Sequence, residues 1–156
     1  MIRFERDQLA PPVAAVFTHP RRVRFQDVDA AGIVFFPRVL EYFHDAYVAW
    51  MDAEKLGFAE AVLSRRWCAP IKHVESTFVR PMRFGDDISV ELVGAHLDGS
   101  DVWLAYRIVA ADGKLVAFGQ THHVSIDLAT FKRGPLPPDA QRVFDRLPSL
   151  VTAPHA

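Results

Sequence analysis

The stretch from Pro37 to Leu56 constrains this fold more than any other. Leu40, Phe43, Tyr47, Trp50 and Met51 recur at helical spacing, and Val39, Tyr42, Ala46 and Val48 fill much of the remaining circumference. Glu41, Asp45, Asp52 and Lys55 supply a narrow polar side. A helix that is apolar most of the way round is wrapped by other elements. Pro37 suits the first helical turn, where its missing N–H would be unpaired anyway. Gly57 is the expected C-terminal stop.

The wrapping elements read as strands. Arg21–Phe25 alternates polar and apolar residues, as do Asp87–Leu97 and Val102–Ala110. Ile71–Val79 and Leu115–Leu128 are the other expected strands. Asp98-Gly99-Ser100-Asp101 and Ala111-Asp112-Gly113-Lys114 carry turn chemistry between them. Phe58–Arg66 reads as a short second helix, and Val143, Phe144 and Leu147 space a short amphipathic one near the end. The predicted class is α+β, one long helix covered by a five-stranded antiparallel sheet. It is not the alternating pattern of a nucleotide-binding sheet.

Proline placement marks the ends. Eight of the 11 prolines are Pro11, Pro12, Pro20, Pro135, Pro137, Pro138, Pro148 and Pro154. Residues 1–19 therefore read as a loosely held arm, 20–133 as the packed domain and 134–156 as a tail. A chain of 156 residues fits one domain.

Charge and cysteine content narrow the partners. Lys+Arg is 18 against 19 Asp+Glu, a formal net charge of -1. Such a balance speaks against general nucleic-acid binding and anionic membranes. The single Cys68 excludes an intrachain disulfide and a Cys-rich zinc site. No apolar run reaches a membrane span, and the mixed-charge start lacks a signal-peptide core, so the cytoplasm is the expected location. No cofactor is expected, since phosphate-loop, dinucleotide and His-Glu-x-x-His motifs are all missing. No metal site is expected either. His122 and His123 are adjacent on a strand and point to opposite faces. Cys68 beside Trp67 reads as a small buried hydrophobe.

The chemistry-bearing stretch runs from Val23 to Arg38. A loop with Asp27 and Asp29 feeds directly into the N-terminus of the buried helix. The first helical turn leaves N–H groups unpaired and carries a partial positive charge. With Pro37 lacking an N–H, the Phe36 amide is one donor able to hold an oxyanion. Asp29 could act as nucleophile or as general base on water. That pairing suits a thioester, whose thiolate leaves with little acid assistance. Aspartates in such loops also commonly cap backbone amides, so spacing alone leaves both readings open.

Residues Phe25 to Phe43, through Asp27-Val28-Asp29-Ala30-Ala31-Gly32 and Phe35-Phe36-Pro37, closely resemble the signature of the 4-hydroxybenzoyl-CoA thioesterase family of hotdog-fold proteins. Arg80-Pro81-Met82-Arg83-Phe84-Gly85-Asp86 continues the likeness more generically. The resemblance implies an acyl-CoA thioesterase of hotdog fold, hydrolysing an aromatic or medium-sized acyl-CoA to the free acid and CoA. It implies homodimers joined edge to edge, often paired into homotetramers, with active sites at the subunit interface. By position, Asp29 would be the catalytic carboxylate and the Phe36 amide the carbonyl-binding donor. Gly32, Ile33, Val34 and His44 would bind substrate. His44 stands where 4-hydroxybenzoyl enzymes carry an acidic residue, which points away from that acyl group. Arg83, Lys132 and Arg133 are the cations expected to meet CoA. Two other readings remain: a non-catalytic acyl-CoA or acyl-carrier binding module, and a hotdog 3-hydroxyacyl dehydratase using His44 or His73. Asp29 discriminates, because a pure binder gains nothing from a carboxylate beside a thioester carbonyl.

Overall fold

A computed structural model describes residues 2–150. Helix α1 (Arg6–Leu9) and strand β1 (Phe17–Arg22) precede the long helix α2 (Phe36–Ala53). Helix α3 (Phe58–Leu63) follows, then strands β2 (Ile71–Phe78), β3 (Asp87–Asp98), β4 (Asp101–Ala110) and β5 (Leu115–Val124). A small hairpin of β6 (Ile126–Asp127) and β7 (Lys132–Arg133) leads to helix α4 (Pro138–Phe144). The main sheet has the order β1-β3-β4-β5-β2, antiparallel throughout. This is the hotdog arrangement, α+β with α2 lying on one sheet face.

Strand alternation builds two cores. On β4, Leu104, Tyr106 and Ile108 face α2, while Trp103 and Ala105 join a second cluster on the opposite face. Phe43 of α2 stacks on Tyr106 at 5.0 Å between ring centroids. Val39, Tyr42, Phe43, Ala46, Trp50 and Met51 are buried along α2. Each large apolar side chain so buried contributes about 1.5–3 kcal/mol. Close approach of helix and sheet is possible because β5 carries Gly119 there. A Cβ on Gly119 would lie 2.9 Å from Phe43 Cε2 and would overlap the Glu75 carbonyl.

Several boundaries differ from expectation. The first strand lies at Phe17–Arg22, beginning inside the segment read as an arm. Phe25 is not strand but part of a 3-10 turn, Phe25–Asp27, and its ring is exposed. The misleading alternation arose because Val23, just past the end of β1, is still buried in the main core and bonded to Gly85 and Asp86. Helix α2 stops at Ala53, before Gly57; Lys55 takes the left-handed conformation (φ 57°) and Gly57 caps α3 instead. Strand β5 stops at Val124 rather than Leu128, because Ser125 turns to donate its N–H to Ser100 O at 2.7 Å.

The arm itself is packed. Phe4 and Leu9 are buried against Val93, Trp103 and Ala105 on the outer sheet face. Phe4 N–H donates to Gln120 Oε1 at 2.9 Å, and Gln120 Nε2 donates to Ile2 O at 2.7 Å. Buried Arg107 donates to Leu9 O at 2.8 Å and pairs with Glu91 at 2.5 Å. In the tail, Phe144 of α4 meets Trp50 edge-on at 5.0 Å, and Val143 and Leu147 are buried as their spacing predicts. Residues 151–156 of the tail lie outside the described residues. No helix of the described chain is long and apolar enough to cross a membrane.

Candidate active site

The loop before α2 is fixed by short-range hydrogen bonds. Asp29 N–H donates to Ile33 O at 2.9 Å, and Asp29 O accepts from Gly32 N–H at 2.9 Å. Gly32 sits at φ +75°, a conformation other residues adopt only with strain. Asp29 Oδ1 accepts from Ala31 N–H at 2.8 Å. Among the described residues no donor takes Oδ2. The capping bond and an exposed carboxylate oxygen thus coexist in one side chain.

Asp27 anchors the loop from below. It is fully buried. Its Oδ2 accepts from Arg24 N–H at 3.0 Å, and its Oδ1 faces Arg24 Nη2 at 3.2 Å and Arg38 Nε at 3.9 Å. Burial alone would raise its pKa. The Arg24 bonds and charge outweigh burial and hold the carboxyl below its ordinary value. The Tyr42 hydroxyl lies near Asp27 but closes no hydrogen bond, and burial pushes it up.

Two backbone bonds then aim the helix start. Phe35 N–H donates to Asp27 O at 2.9 Å, and Val34 N–H donates to Met82 O at 2.8 Å. Phe36 is the first residue of α2. No acceptor among the described residues takes its N–H, so this donor remains available to a ligand.

These pieces meet in one cleft of about 470 Å³, lined by Asp29, Ile33, Val34, Phe35 and Phe36 from the loop and helix start. The facing wall runs from Phe78 to Met82. Phe35, Phe36 and Phe78 are 46%, 61% and 51% exposed, an apolar surface continuous with the cleft. The arrangement can hold an apolar acyl group with its carbonyl at a helix N-terminus and a carboxylate alongside.

Of the residues predicted from sequence, Asp29, Ile33, Val34 and Phe36 share this cleft, and Gly32 shapes its loop. His44 does not line it; it is exposed on α2, 6.0 Å from the Tyr47 ring. Arg83 follows Met82 of the cleft wall, with its N–H on Asp86 Oδ2 at 2.8 Å. Lys132 and Arg133 lie on β7, where Arg133 pairs with Asp101 at 3.1 Å. His73 stands on β2, 3.8 Å from Glu75. Cys68 is half-buried, and burial pushes its thiol up, which disfavours a nucleophilic thiolate.

His122 and His123 do face opposite sides. His122 Nε2 donates to Asp101 Oδ1 at 2.6 Å and its ring stacks on Trp103. His123 Nδ1 donates to Ala69 O at 2.8 Å, so its Nε2 accepts from Thr121 Oγ1 at 2.7 Å. Sequence reasoning missed the wall residues Phe78, Val79 and Arg80. Their signal was slight: a cation and a proline closing a strand.

The long helix α2 lying on a five-stranded antiparallel sheet defines the hotdog class, and this chain adds a carboxylate loop at the N-terminus of that helix. Comparison with known proteins narrows it. The model of the thioesterase-like superfamily matches residues 23–144. The 1,4-dihydroxy-2-naphthoyl-CoA hydrolase of Synechocystis sp. is 34% identical over 122 residues, 78% of this chain and 88% of that protein. That of Nostoc punctiforme is 34% identical over 121 residues, 78% and 81% of the two chains. The crystal structure of a 1,4-dihydroxy-2-naphthoyl-CoA thioesterase from Synechocystis aligns with a TM-score of 0.78 at 32% identity, covering 83% of this chain and 96% of its own. A gentisyl-coenzyme A thioesterase, 23% identical with a TM-score of 0.73 over 83% and 99% of the chains, shares the fold. The chain belongs to the thioesterase-like superfamily, and by that kinship is a thioester hydrolase. The relatives above 30% identity described here are named for a dihydroxynaphthoyl thioester, not for the 4-hydroxybenzoyl one that the loop resembled.

Proposed function

We propose that the protein hydrolyses an aromatic acyl-CoA to the free acid and CoA, with 1,4-dihydroxy-2-naphthoyl-CoA the leading substrate. The observation that carries this reading is the shared cleft of Asp29 and Phe36. The substrates for which the relatives are named supply the acyl class.

The thioester carbonyl oxygen accepts from the Phe36 N–H, which strengthens its hold as negative charge develops. Asp29 takes a proton from water as the water oxygen attacks the carbonyl carbon. Collapse of the tetrahedral species breaks the C–S bond, and the thiolate leaves as CoA. In the covalent variant Asp29 itself attacks the carbonyl carbon, the C–S bond breaks to release the CoA thiolate, and water then hydrolyses the mixed anhydride to free acid and the Asp29 carboxylate.

A second copy of the chain completes the pocket in this reading. Strand β2 is a sheet edge paired only with β5. An edge carrying exposed Ile71 and Phe78 invites edge-to-edge pairing. His44, exposed on α2, is then available to bond a ring hydroxyl of substrate in a neighbouring protomer's cleft.

The test is a thiol-release assay over aromatic and aliphatic acyl-CoAs. The naphthoyl thioester is expected to be hydrolysed fastest. Absence of release from every thioester would overturn the reading.

A further inference from the structure

A second pocket opens beside the Asp29 cleft. It has a volume of about 260 Å³ and is lined by Arg6, Ala10 and Pro11 of the arm, Val79 and Arg80 after β2, and Lys114 of the β4–β5 turn, among others. Val79 and Arg80 also line the cleft, so one stretch of backbone is a wall of both. Three cations converge here from three separate segments.

Their placement is built by specific bonds. The N–H groups of Val79 and Arg80 both donate to Val116 O, at 2.8 and 3.0 Å, hooking the end of β2 onto β5 beside the 111–114 turn. Arg6 begins α1, whose last residue Leu9 is buried and held through its carbonyl by Arg107. Gln8 Nε2 also donates to Leu150 O. A buried arginine and an amide side chain are thus spent on fixing an arm that delivers Arg6 to this pocket.

The pocket gathers three cations, although cations elsewhere, Arg83 and Lys132 among them, also meet no carboxylate within 4.0 Å among the described residues. Arg21, Arg22 and Arg133 are each paired with an aspartate. Arg6 and Arg80 meet no carboxylate within 4.0 Å among the described residues; Lys114 pairs with Asp112 at 3.1 Å, and the charge of Arg80 also reaches that carboxylate. No carboxylate lines the pocket. Unpaired guanidiniums over a concave surface suit phosphate, which they bind through charge-assisted, often bidentate bonds.

We propose that Arg6, Arg80 and Lys114 hold the phosphates at the nucleotide end of a CoA thioester whose acyl end occupies the Asp29 cleft. This deepens the proposed function and rests on it for the identity of the ligand. It places the CoA cations on the arm and the β2 end, rather than on Lys132 and Arg133.

The test measures binding of free CoA by calorimetry, with no dependence on hydrolysis. Native protein is compared with Arg6→Ala, Arg80→Ala, Arg80→Lys and the Lys132→Ala/Arg133→Ala double variant. Each loss of a guanidinium is expected to raise Kd about ten-fold. Arg80→Lys is expected to recover part of that loss, and the double variant to bind like native. Unfolding temperatures of these exposed-site variants are expected to stay at the native value. The proposal is overturned if native protein does not bind CoA, or if Arg6→Ala and Arg80→Ala bind it normally. CoA binding lost in these variants without thioesterase activity in the native protein would sink the hydrolase reading and leave the phosphate site standing.

Discussion

The Phe35 N–H donates to the Asp27 carbonyl at 2.9 Å, and this bond joins the residue before the long helix to the loop that carries Asp29. Position of the carboxylate and position of the helix amide are therefore not independent. Asp27, buried beneath both, is the piece on which the geometry depends.

Removing that piece is expected to loosen the site before it unfolds the protein. Asp27→Ala leaves the Arg24 N–H without its acceptor and is expected to cost about 1–3 kcal/mol. Thermal unfolding measures the loss, and kcat should fall with it because the loop no longer holds its register. Native stability with native kcat would refute the anchoring role.

Acid stability follows from the same residue. The folded Asp27 carboxyl titrates below its ordinary value despite burial, because Arg24 bonds its ionised form. A depressed folded value contributes stability above about pH 4, and that stability is lost as pH falls through the folded value. Asp27→Asn is expected to flatten the dependence of unfolding temperature on pH below about pH 4. An unchanged slope would count against it.

His123 acts at higher pH. Burial lowers its value to about 4, so it is neutral in the folded protein at pH 7. The unfolded chain takes up this proton near pH 6.5 while the folded chain does not. Stability is therefore full above about pH 6.5 and declines as pH falls towards 4. His123→Gln is expected to remove that part of the decline. Carbon or nitrogen NMR shifts of the ring at pH 6 should show the neutral form with the proton on Nδ1.

Gly119→Ala tests the fit of helix to sheet. The added methyl meets the Glu75 carbonyl and the Phe43 ring, and the backbone contact cannot be relieved by a rotamer change. A loss of about 1–3 kcal/mol or more in chemical denaturation is expected. A neutral result would mean that β2 and β5 separate more easily than their pairing implies.

Much of the fold was legible because its signals are local. The apolar circumference of Pro37–Leu56 announced a wrapped helix, and alternation with Asp-Gly turns announced β3, β4 and β5. Asp29 and Phe36 were legible for a similar reason: loop and helix start are contiguous in sequence. What escaped depends on distant partners. The arm packs through Phe4 and Leu9 on the outer sheet face, and Gln120 and Arg107, more than a hundred and nearly a hundred residues away, satisfy its backbone. Arg80 stood in the sequence only within the generic stretch 80–86, and its hook onto Val116 is what sets it as a wall of two pockets. Lys55, not Gly57, reverses the chain after α2, a choice that composition does not reveal.

The central claim is that Asp29 drives thioester cleavage at the Phe36 amide, and Asp29→Asn tests it most directly. Steady-state hydrolysis of 1,4-dihydroxy-2-naphthoyl-CoA by native and variant protein gives kcat/KM for each. A fall of about 100- to 10,000-fold, carried by kcat, is expected when a group acting in the transition state loses its charge. Native kcat/KM in a folded Asp29→Asn variant would contradict the account.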